Sequence, residues 1–121
     1  MFAFGAKESS GSKEPSVALI INGNLGDKSF HDSANNGMKM IANELHCKTK
    51  VVEVGYDDSK WEPALRDLCD EKHDIIFCGT WQMQALVSKI TKDYPNQKII
   101  VYDTAMDYAS DSAGLFKNTY S

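Results

Sequence analysis

Polar and aromatic side chains collect where the apolar runs of this chain end. Residues 17–21 lead into Asn22-Gly23-Asn24-Leu25-Gly26-Asp27-Lys28-Ser29, followed by Phe30 and His31. Residues 50–54 lead into Gly55, Tyr56, Asp57 and Asp58. Residues 75–78 lead into Gly79, Thr80, Trp81 and Gln82, and residues 99–102 into Asp103, Thr104 and Asp107. These loops offer amides, hydroxyls, carboxylates and the rings of Phe30, Tyr56 and Trp81. That set suits a neutral polar ligand with a flat ring better than a phosphate. Carboxylates pair with sugar hydroxyls, and aromatic side chains stack on ring faces.

Sharper chemistries fail on spacing. A phosphate-binding P-loop needs G-x-x-x-x-G-K-[ST], whereas Gly23, Gly26, Lys28 and Ser29 stand at other intervals. G-x-G-x-x-G is absent. A phospho-receiver domain shares the size and strand order, but the first strand ends at Asn22 without paired acids, and the third ends Phe77-Cys78-Gly79 without an acceptor aspartate. No serine sits in a nucleophile elbow. His46, Cys47, Cys69 and His73 include one pair four residues apart, but no metal motif joins them. The cysteines Cys47, Cys69 and Cys78 are odd in number and lack C-x-x-C spacing, so they read as free, partly buried thiols, with Cys78 in the core. No catalytic group, cofactor motif or metal site is expected.

The elements that must hold these loops follow from apolar periodicity. Residues 17–21 form a continuous apolar run, as in a strand covered on both faces. Ser29 and Asp32 have capping-box spacing. Phe30, Ala34, Met38, Ile41 and Leu45 then recur at helical intervals to near His46. A second strand spans 50–55. Ser59 and Glu62 repeat the capping-box spacing before a helix with Trp61, Leu65 and Leu68 inside. A third strand spans 74–79. Thr80 can cap a helix with Met83, Leu86, Val87 and Ile90 on its inner face, ended before Pro95. A fourth strand spans 98–104, and a short strand falls within 115–120. Strand-helix alternation with crossovers of this length predicts a parallel sheet with right-handed connections. The expected architecture is α/β: a flavodoxin-like three-layer sandwich with strand order 2-1-3-4 and ligands at the carboxyl edge.

The chain has 121 residues, 42% of them hydrophobic, which fits one globular domain. The formal charge is -4, with Arg66 the single arginine. This excludes a nucleic-acid partner, which needs clustered cations to displace phosphate counterions, and an anionic membrane surface. Nowhere do 18 apolar residues run together. Residues 1–16 are mostly Ser, Gly, Lys and Glu beyond Ala6 and read as a disordered tether. Ala3-Phe4-Gly5 has the small-x-small pattern that ends a signal peptide; an unstructured tail or expression scar is the plainer alternative.

Gly26-Asp27-Lys28-Ser29-Phe30-His31-Asp32-Ser33-Ala34, followed by Gly37, resembles the D-K-S-F-N signature of the basic membrane protein (BMP) family. These are substrate-binding lipoproteins of ABC transporters, several of them purine nucleoside receptors. Ile76-Phe77-Cys78-Gly79-Thr80 and Ile100-Val101-Tyr102-Asp103-Thr104 resemble that family's third and fourth strand ends. The resemblance runs over residues 17–121. It implies a non-catalytic, type I periplasmic-binding-protein fold with two lobes and a nucleoside in the cleft. It further implies export to the periplasm or cell envelope, a lipid anchor on the full-length precursor and an ABC permease as partner.

The resemblance also implies site residues. Phe30 stacks on the base, although periodicity alone favours it as the first core residue of its helix. His31 stands where the family usually has a base-binding Asn; read by itself it is an exposed first-turn residue. Asp103 meets the ligand, or merely caps a turn. Asn22 matches a polar residue at the end of the first strand, and Ser29 borders the site. Family members are more than twice this length, so residues 17–121 correspond to part of the N-terminal lobe. Without the second lobe and the segment returning from it, a sheet edge or helix face is left open, and a homodimer is expected. The alternative function is a truncated, oligomerising interaction domain that binds no transport ligand.

Overall fold

The computed structural model describes residues 14–104 and 118–120. Within them one parallel sheet is built from β1 (Ser16–Ile21), β2 (Lys48–Glu53), β3 (Ile75–Gly79), β4 (Lys98–Tyr102) and β5 (Thr119–Tyr120), in the order β2-β1-β3-β4-β5. The helices are α1 (Phe30–Glu44), α2 (Trp61–Asp70) and α3 (Gln84–Ile90), with short 3-10 turns at Asp58–Lys60 and Trp81–Met83 leading into α2 and α3. The expected order 2-1-3-4 is present, extended by β5 beside β4. Residues 115–117 of the expected last strand, and residues 1–13 of the expected tether, lie outside the described residues.

Side-chain alternation along the strands separates two cores. Ala18 and Ile20 of β1, Ile76 and Cys78 of β3, and Ile99 and Val101 of β4 face α2 and α3 through Leu65, Leu68, Val87 and Ile90. Val17, Leu19 and Ile21 face the other way, toward Met38 of α1. A strand with helices on both sides has no wet face, so the apolar run of β1 carries no alternation. β2 is the opposite case. It is an edge strand, exposed except for half-buried Val52, and Lys48 and Lys50 guard it against pairing with another chain.

The α1 side is the thinner layer. Among the described residues α1 alone covers it, lying on β1 and β2. Ile75, Phe77 and Tyr102, further across the sheet, are therefore only half-buried.

The starts of α2 and α3 differ from the caps expected. Before α2, Asp57 accepts hydrogen bonds from the Ser59 backbone N (3.1 Å) and Oγ (2.6 Å). Lys60 takes the cap position without a side-chain bond, and Glu62 turns away to Arg66 (2.9 Å) and Lys89 (3.0 Å). The inserted 3-10 turn moves Ser59 one step too early to cap the α-helix. Thr80 likewise makes no capping bond.

Candidate functional site

The loops after β1 to β4 all emerge at one edge, and each contains a residue in left-handed conformation. These are Gly26 (φ 95°) and Lys28 (φ 54°) after β1, Gly55 (φ 73°) after β2, Thr80 (φ 128°) after β3 and Asp103 (φ 62°) after β4. Side chains resist this conformation, so Lys28, Thr80 and Asp103 are held there by their surroundings.

At the start of α1, Asp27 does the capping. Its Oδ1 accepts from the backbone N–H groups of Ser29 (2.9 Å) and Asp32 (3.1 Å), and its Oδ2 from that of His31 (3.2 Å). Asp32 reaches back to the N–H groups of Gly26 (2.7 Å) and Lys28 (2.8 Å). Ser29 occupies the cap position but makes no side-chain capping bond. The left-handed turn at Lys28 swings the Asp27 carboxylate over the first turn, displacing the serine. The backbone N–H of Ser29, then those of His31 and Asp32, hold the Asp27 carboxyl below the ordinary carboxylate range.

Phe30 and His31 leave this turn in different environments. Phe30 is 56% exposed and therefore not the core residue that its periodicity suggests. His31 is 8% exposed, so the reading of it as an exposed first-turn residue is overturned. Its imidazole lies against Gly23, where an added Cβ would stand 2.7 Å from Nε2 and 3.2 Å from the Tyr56 ring. His31 Nδ1 has no hydrogen-bond partner. Glycine at 23 is what lets this ring sit beneath the loop.

Asn22 continues the β1 alternation toward the α3 side and is 2% exposed. Its Nδ2 donates to Thr80 Oγ1 (3.4 Å) and Gln82 Oε1 (3.3 Å), and Thr80 Oγ1 donates to Gln82 Oε1 (3.0 Å). Asn22 Oδ1 is left without a partner. On the α1 side, Tyr102 lies flat across Gly79, where a Cβ would stand 2.3 Å from its ring. Burial pushes the Tyr102 phenol up to about 12, and its hydroxyl has no partner. Phe30, Tyr102 and Asp103 line a cleft of about 490 Å³ that runs under α1 to Leu19, Met38 and Phe77.

Of the expected residues, Phe30 and Asp103 thus share one cleft, and Ser29 sits exposed on the loop beside Phe30. His31 lies beneath that loop, and Asn22 lies across the sheet with Thr80 and Gln82. The capping role of Asp27 and the network of Thr80 and Gln82 were not foreseen. The acid in Asp27-Lys28-Ser29 was a visible signal, whereas nothing in residue type marks Thr80 as left-handed. Elsewhere, burial pushes the Cys69 and Cys78 thiols up to about 12, so neither is a ready thiolate. His73 is engaged by Ser16 Oγ (2.5 Å) and Glu71 (2.7 Å) at the opposite edge. Among the described residues no group of three or more His, Cys, Asp or Glu side chains could hold a metal ion, and no helix is long and apolar enough to cross a membrane.

Over 97 residues the chain is 31% identical to basic membrane protein A of Borreliella burgdorferi, a match covering 80% of this chain and 28% of that protein. It is 26% identical over 109 residues to basic membrane protein A1 of Borrelia garinii subsp. bavariensis, covering 90% of this chain and 32% of the relative. Less than a third of each relative is matched. A solved ABC transporter solute-binding protein from Aeropyrum pernix K1 superposes with a TM-score of 0.70 at 26% identity, over 77% of this chain and 25% of that one. A solved fragment from Peptoclostridium difficile 630 shares the fold, with a TM-score of 0.72 at 18% identity, over 89% of this chain and 83% of that one. The family model described as ABC transporter substrate-binding protein, PnrA-like, matches residues 14–121, and the chain belongs to that family, Bmp.

Proposed function

We propose that this chain is a non-catalytic solute-binding lobe whose ligand is a purine nucleoside, taken up at the carboxyl edge of the sheet. The observation that carries this reading is Phe30. This phenylalanine, 56% exposed on the first turn of α1, shares a cleft with Asp103 at the carboxyl edge of the sheet, the edge at which ligands bind in open α/β folds. The exposed ring offers a stacking face for a base, and Asp103 offers acceptors for ribose hydroxyls. Ser29 borders the same loop. Asn22 and His31 support the edge from beneath rather than at its surface. Such a half-site touches one side of a ligand. On this reading it serves an ABC transport system with a permease as partner, and is exported, envelope-associated and lipid-anchored in the full-length precursor.

A calorimetric titration with inosine, guanosine and adenosine tests this. Heat with affinity in the micromolar range, lost in Phe30→Ala and Asp103→Ala, is expected. Silence with all three nucleosides overturns it.

The cleft under α1 favours a second reading in place of the first, a truncated, oligomerising interaction domain that binds no transport ligand. Leu19, Met38, Ile41 and Phe77 line it and leave apolar surface open on the thin side of the sheet. Two copies joining these faces bury it, giving a homodimer.

A further inference from the structure

Trp81 has no use in either reading above. It is 70% exposed, beside Thr80 and Gln82 at the carboxyl edge. The other tryptophan, Trp61, is buried and donates its Nε1–H to the Gly55 carbonyl (2.9 Å). Tryptophan is highly buried on average, so an indole this exposed stands out. The turn that carries it is strained. Thr80 is β-branched, yet has φ 128° and ψ -173°, a region that glycine normally occupies. Three bonds hold it there: its carbonyl accepts from Met83 N (2.9 Å), and its hydroxyl links Asn22 to Gln82. Asn22 Oδ1 remains buried and unpaired beside this turn. A turn serving structure alone sheds backbone strain and orphaned acceptors; a preformed binding surface keeps them.

We propose that Trp81 is a second ring-stacking surface of the half-site, held outward by the Asn22–Thr80–Gln82 network. This rests on the nucleoside reading. Phe30 opens α1 after β1, and Trp81 opens the turn after β3, so both lie at the carboxyl edge beyond the neighbouring strands β1 and β3. Thr80 and Gln82 are positioning residues, and Trp81 touches the ligand.

Fluorescence and calorimetry on the same protein test it. On titration with inosine, guanosine or adenosine, emission from the wild type is expected to quench along the calorimetric curve. The quench is expected to vanish in Trp81→Phe, which retains most of the affinity, while Trp81→Ala weakens binding on the order of tenfold. The thermal midpoint is expected to be unchanged in both. Thr80→Ser is expected to bind as the wild type does, and Thr80→Val to weaken binding. Nucleoside heat that is unaltered in Trp81→Ala, with flat emission, overturns the role of Trp81 and leaves the nucleoside reading standing. Absence of heat in the wild type overturns both.

Discussion

Asp27 organises the start of α1 by accepting from three backbone N–H groups, whereas the side chain of Ser29 makes no capping bond. Asp27→Ala is therefore expected to lower the thermal midpoint clearly, while Ser29→Ala leaves it nearly unchanged; differential scanning calorimetry separates the two. The same carboxylate makes stability depend on pH. Asp27, Asp57, Glu62 and Glu71 are all held below their ordinary values, by the Ser29 backbone, the Ser59 hydroxyl, Lys89 and Lys50 respectively. A carboxyl whose folded pKa is depressed binds its proton more readily in the unfolded chain. Stability is thus expected to be fully present above the ordinary carboxylate range and to fall as pH drops below about 4. Midpoints measured across that range check this, with a shallower fall in Asp27→Asn. The Asp27-Lys28-Ser29-Phe30 motif was legible in the chain. Which acid caps the helix was not, because that depends on the left-handed turn at Lys28. His31 was misread in the same way: its burial comes from Gly23 leaving room for the ring.

Among the elements, strand order was the most legible feature. Apolar runs of five or six residues between helical patterns leave few parallel arrangements, and the handedness of crossovers reduces them further. Helix 1 was less so. Its stripe from Phe30 to Leu45 fits a buried face, yet only its middle is covered: Met38 is buried, Ala34 and Ile41 are half-buried, and both ends are exposed. Periodicity marks a face but does not say how far the sheet beneath it extends. Phe30→Ala should accordingly change stability by no more than about 0.5 kcal/mol. The close approach of Gly79 and Tyr102 was invisible to pattern, because it arises from register between β3 and β4. Gly79→Ala forces the Tyr102 ring off the strand and is expected to cost about 1–3 kcal/mol in chemical denaturation.

At the scale of the whole molecule, the described residues cover the sheet thickly on the α2/α3 side and thinly on the α1 side. The cleft reaches from the carboxyl edge toward the middle of β3. If two copies join through this face, light scattering gives the mass of a dimer. Gly37 lines the cleft and has open space where a Cβ would stand. Gly37→Arg should therefore fold normally and run as a monomer. A wild-type monomer would remove the self-association reading without touching the ligand site. The proposed site has a simple physical form: the strand ends share one edge, each loop there carries a left-handed residue, and Phe30 and Asp103 line one cleft. Its most direct test is calorimetric titration of the chain with inosine, guanosine and adenosine. Micromolar binding of at least one nucleoside, abolished by Phe30→Ala and by Asp103→Ala with folding intact, is the expected result. No heat from any of the three, or binding indifferent to both substitutions, would contradict it.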